Sequence, residues 1–147
     1  MADYAAAYKE GVVAAEVGEA ARGEINAVFK ELDEQLRAAT EGKLGIARKR
    51  VKSDDFFEVP ALEAFRYAMG YRKPTHMAVV AEVQPEGGDP TIIELAEWSE
   101  HEFGYPCTLT VAGQQTACAD REALERTLEN VLRDARTGDK LRRSLSQ

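Results

Sequence analysis

Between residues 74 and 120 the chain alternates short apolar runs with dense turn signals, and it does so without a single Lys or Arg. The run at 76–83 places Met77, Val79, Ala81 and Val83 on one face of a strand and Ala78 and Val80 on the other. Apolar residues on both faces predict an interior strand. PEGGDP at 85–90 is a turn, and 91–98 returns as the second strand of a hairpin. Strict alternation there sets Ile93 and Leu95 against Ile92, Ala96 and Trp98. Residues 99–105 read as a loop or bulged extension. A second hairpin follows, 106–111 with 114–119, around Ala112-Gly113.

The register of that second hairpin decides where its cysteines lie. A two-residue loop pairs 111 with 114 and brings Cys107 opposite Cys118, but it requires positive φ at Ala112. A turn with Gly113 in a G1 bulge pairs 110 with 114 and sends the cysteines to opposite faces. The penalty at Ala112 favours the bulge.

Helix formers without proline fill residues 3–41. Ile25, Val28, Phe29, Leu32, Leu36 and Ala39 recur at three- and four-residue steps and form one apolar stripe. Tyr4, Tyr8, Val12 and Ala15 make a thinner one, interrupted by Gly11, Gly18 and Gly23. This predicts two helices, about 3–18 and 22–41, or one long kinked helix, with Gly42 as its cap. The stripe at 22–41 covers the sheet; the alternative is a dimer seam through Ile25, Phe29, Leu32 and Leu36. The stretch 43–52 reads as a strand whose basic run suits a sheet edge. Residues 61–69 read as a short helix between Pro60 and Gly70. Asp120 is an N-cap candidate, and Ala123, Leu124, Thr127, Leu128, Val131 and Leu132 define a helix that Gly138 ends, before a short basic tail.

The fold class expected is α+β. It has an N-terminal helical hairpin or long kinked helix over 1–42. A four- to five-stranded antiparallel sheet follows within 43–147, with a C-terminal helix on one face, all in one compact domain. No apolar run reaches the length of a membrane span, and the N-terminus has no signal-peptide pattern, so a cytoplasmic protein without membrane contact is expected. Two cysteines are too few for a disulfide framework.

The net charge of −7 is local. Residues 74–120 hold eight carboxylates: Glu82, Glu86, Asp89, Glu94, Glu97, Glu100, Glu102 and Asp120. The remainder carries 18 acids against 19 bases. An acidic surface disfavours direct nucleic-acid binding and favours a basic partner. No phosphate loop, HExxH, CxxC or nucleophile motif is present, so no catalytic residue, metal or cofactor is assigned. The residue pairs that come nearest to a metal site are Glu97 with His101 and Glu94 with Glu82. Glu94, Glu97, Glu100 and Glu102 do surround Trp98, Phe103 and Tyr105, as aromatic anchors within a charged rim. With Glu82 they make the expected docking surface. The expected function is that of a small acidic, non-enzymatic binding protein of the inhibitor, immunity or antitoxin type. Its partner would be a basic protein such as a toxin, nuclease or nucleic-acid-binding protein. The alternatives are a homodimeric assembly protein using 22–41 and a metal-dependent hydrolase.

Overall fold

A computed structural model describes residues 1–52, 65, 68–70 and 75–146 of the chain. The expected helix at 61–69 and the loop before it fall largely outside those residues. Of the two expected forms, a helix pair or one long helix, the chain takes the second: α1 (Tyr4–Ala39, 36 residues). At about 1.5 Å per residue it is about 54 Å long. The Asp3 carboxylate caps its start by accepting from the Ala6 N–H at 3.0 Å. The abundant alanines carry it through three glycines, each of which weakens a helix by about 1 kcal/mol. Its end is a Schellman turn: the Gly42 N–H reaches the Arg37 carbonyl at 2.7 Å. The left-handed C′ position of that turn is Glu41, at φ 56°, with Gly42 following it.

Five strands form an antiparallel meander in chain order. They are β1 (Leu44–Lys52), β2 (Thr75–Val83), β3 (Thr91–His101), β4 (Gly104–Val111) and β5 (Gln114–Cys118). The basic strand β1 is an edge, as its composition predicts. It is also guarded from outside by α1, where the Asp33 carboxylate accepts the Ile46 N–H at 2.9 Å. Interior strand β2 is buried on both faces from Ala78 to Ala81.

Strand β3 departs from the alternation read in its sequence. Val79 pairs with Ala96 but Val80 pairs with Glu94, so Leu95 is an extra, bulged residue. A one-residue bulge exchanges the faces of everything beyond it. Ile93, Ala96 and Trp98 therefore share the helix-covered face, while Glu94 and Glu97 share the other. Ile92 is left exposed.

The second hairpin also differs from expectation. Val111 pairs with Gln114 and Cys107 with Cys118, around a two-residue turn. Ala112 takes the unfavourable φ of 51° and Gly113 takes 80°. The bulged register is thus overturned, because in-register pairing buries both cysteines under the helices.

The C-terminal helix is two helices. Asp120 caps α2 (Arg121–Arg133) as expected, accepting from the Ala123 N–H at 2.8 Å. The chain then turns at Asp134, whose carboxylate accepts from the Arg136 N–H at 2.8 Å and starts α3 (Ala135–Leu145). Asp134 competes for its own backbone in this way, and the helix ends at Arg133, five residues before Gly138. The core joins Ile25, Val28 and Phe29 to Ile46, Val79, Ala81, Trp98 and Leu109, and closes with Leu124, Leu128 and Leu141.

Close approach of α1 to the β3–β4 turn depends on glycine. A Cβ on Gly104, which sits at φ 98°, would lie 2.7 Å from the Ala21 Cβ. Gly104→Ala should lower unfolding free energy by about 1–3 kcal/mol in urea titration. Gly23→Ala, where a Cβ meets nothing within 4 Å, should raise it by about 0.5–1 kcal/mol.

Candidate functional site

The eight residues expected to form one docking surface lie in three places. Glu82, Glu94 and Glu97 are on the sheet face away from α1, because they pair with Gly45, Val80 and Ala78. Trp98, Glu100 and Tyr105 belong to the helix-covered side. Glu102 and Phe103 form the turn between β3 and β4. Several of the carboxylates already have a basic partner within the chain. Glu82 meets Lys49 at 3.6 Å, Glu86 meets Lys43 at 3.3 Å, and Glu100 meets Arg48 at 3.9 Å. The expected contiguous negative face is absent among the described residues. Period-two alternation and the Leu95 bulge distribute it over both faces.

The aromatic residues of the set do meet a helix, and it is the chain's own. Trp98 is buried with its ring 5.1 Å from Phe29, edge to face. The Arg48 guanidinium lies over both rings, 4.5 Å and 5.4 Å from their centroids. Burial pulls the Arg48 pKa down, and Glu100 opposes that shift. Arg48 also donates to the Asn26 side-chain oxygen. Phe103 packs where a Cβ on Gly18 would come within 2.8 Å of it. Arg22 donates to the Glu102 carbonyl at 2.9 Å, and the Tyr105 hydroxyl donates to Glu24 at 2.9 Å. Burial, followed by that hydrogen bond, raises the Tyr105 pKa. These contacts also dispose of the dimer seam at 22–41. Ile25 and Phe29 are core residues, and Leu32 and Leu36 are packed against the core.

Neither residue pair read from the sequence is the cluster the fold assembles. On the outer face, donor atoms of His76, Glu94 and Glu97 lie within 4.8 Å of one another. His76 Nε2 is 2.6 Å from Glu94 Oε1. An imidazole with two carboxylates is a donor set that suits a borderline divalent cation. The bulge at Leu95 creates this corner, since two glutamates three apart on a regular strand face opposite ways. That spacing hid it from the sequence reading. His101 instead accepts the Phe103 N–H on its Nδ1 at 3.1 Å.

Glu94 and Glu97 also line an open cavity of about 610 Å³, with Thr110, Gly113, Arg136 and Lys140. It exists because β4 turns away at Ala112 and leaves the start of β3 without a neighbour on that side. Its lining charges are of both signs.

The longest run of exposed apolar side chains among the described residues is elsewhere, on α1. Every residue from Met1 to Val17 is exposed, and Gly18 is the first buried one. Tyr4, Tyr8, Val12, Val13 and Val17 all stand in solvent. Tyr4, Tyr8 and Val12 among them belong to the thin stripe of the sequence; Val13 and Val17 lie outside it. Comparison with family models, curated proteins and solved structures finds no match to this chain. No described helix is long and apolar enough to cross a membrane.

Two outcomes check these placements. Trp98 Nε1 is buried without a hydrogen-bond partner. Trp98→Phe, which removes that donor and keeps a ring on Phe29, should cost under about 1.5 kcal/mol in chemical unfolding. Trp98→Ala should cost about 3–5 kcal/mol. Burial, then the neighbouring Cys118, pushes the Cys107 thiol up to about 12 from an ordinary 9. The native state thus resists ionisation that the unfolded chain accepts, so this contribution to stability is whole below pH 9 and fades between pH 9 and about 12. In native protein at pH 8 neither cysteine should react with a thiol reagent; both should react once the protein is unfolded.

Proposed function

We propose that this chain is a non-enzymatic binding protein whose docking element is the projecting arm of α1, residues 4–17. One observation carries the reading: five large apolar side chains stand exposed within 14 helical residues that the sheet does not cover. A helix with apolar residues around most of its circumference normally lies buried. Contiguous exposed apolar surface on a folded chain marks an interaction site. The arm is continuous with a packed helix, so its geometry is set before any partner arrives, which lowers the ordering cost of binding.

An inhibitor and an assembly protein would both use such an element. The carboxylates have a secondary part in this reading. Of the docking set, Glu94 and Glu97 offer a cationic partner one corner of the outer face, beside His76. The chemistry of the thiols supports a binding role over a catalytic one, since Cys107 is buried and held protonated.

The test separates an arm kept for contact from one kept for folding. At a protein concentration low enough that the wild type does not associate, Tyr4→Ser with Tyr8→Ser in the full chain should move the melting temperature by no more than about 2 °C, because surface substitutions without intramolecular contacts change stability by about 0.5 kcal/mol. It should also abolish whatever association the wild type shows. A fall of many degrees would mean that the arm packs on the body, and the reading would fail.

A further inference from the structure

We infer that the occupant of the arm is a second copy of this chain, laid antiparallel across it; this rests on the arm being the docking element. Successive residues of a helix turn by about 100°, which places Tyr4, Tyr8, Gly11 and Ala15 within one narrow stripe, flanked by Val12. Lys9, Glu10 and Glu16 lie outside it. The stripe is bulky in its first half and small in its second. That asymmetry is self-complementary in one orientation only. Laid antiparallel about a two-fold axis between residues 9 and 10, each Tyr8 ring falls on Gly11 of the second copy and each Tyr4 on Ala15, as knobs into holes. A parallel pairing stacks tyrosine on tyrosine and leaves glycine facing glycine across a void.

The same overlay gives the seam an end. It brings Met1 of the second copy to Gly18, where Phe103 packs and remains 46% exposed. The contact therefore runs from one arm onto the other copy's β3–β4 turn. Tyr4 and Tyr8 are 82% and 72% exposed. Four such rings, at about 150–250 Å² each, supply about 600–1,000 Å². Val12, Met1 and Phe103 of both copies bring the total toward the roughly 1,200 Å² at which specific interfaces begin. Between Tyr4 and Ala15 no charged residue falls on the stripe, the acids Asp3 and Glu16 fall on different flanks, and Glu19 lies at the seam's end, near the α-amino group of Met1 of the second copy.

Sedimentation of the full chain over about 1–100 µM should show a species of twice 16.2 kDa. Tyr8→Lys should weaken it at least tenfold. Val13→Lys, at a residue that is also exposed but on the opposite side of the helix, should leave it unchanged. A spin label on Ala20→Cys, with native Cys107 and Cys118 buried and unreactive, should report a separation of about 30 Å across the dimer. A parallel pair would bring those labels under about 20 Å. The inference is overturned by a wild type that stays monomeric, by equal loss in Val13→Lys and Tyr8→Lys, or by the short distance. A monomeric wild type whose Tyr4→Ser, Tyr8→Ser variant keeps its melting temperature would remove the second copy as occupant and leave the arm free for a different protein.

Discussion

Phe29 set edge-on against Trp98, with the Arg48 guanidinium over both, is the contact from which the rest of the architecture follows. It joins the C-terminal half of α1 to the middle strand of the sheet. With the helix fixed there, Ile25 and Val28 meet the core, and Tyr105, Glu102 and Phe103 are taken up by Glu24, Arg22 and Gly18. The aromatic residues that looked like anchors for a partner are the means by which the chain holds its own helix. The sheet ends at the β3–β4 turn and the helix does not. The uncovered arm is a consequence of that mismatch in length.

The acidic stretch shows how much a single bulge decides. Eight carboxylates within 47 residues look like a surface when read along the chain. A strand sends alternate residues to opposite faces, and Leu95 inverts the alternation partway along β3. Glu100 then meets Arg48 beneath the helix, while Glu94 and Glu97 gather with His76 on the other face. Local charge density in sequence becomes surface potential only where the register allows it.

Features governed by neighbours in sequence were legible. The α+β class, the interior placement of β2, the basic edge strand and the Asp120 cap all followed from periodicity and capping chemistry. The features that escaped depend on tertiary competition. Ala112 adopts positive φ because in-register pairing buries Cys107 and Cys118, a gain no turn preference records. The break at Asp134 satisfies backbone donors and lets α3 bring Leu141 into the core. The Leu95 bulge has no glycine to announce it. The stripe at 22–41 covers the sheet, the first of its two readings, and the weaker Tyr4–Tyr8 stripe is the one the body leaves bare.

One half of α1 is held by its own sheet; the other, in the function proposed above, is held by contact with another molecule. Hydrogen exchange along α1, measured at several protein concentrations, tests this division directly. Slow exchange over 25–36 is expected at every concentration, with protection over 4–17 that grows as the protein is concentrated. Protection of 4–17 that is already complete at high dilution, or that never rises, would contradict it.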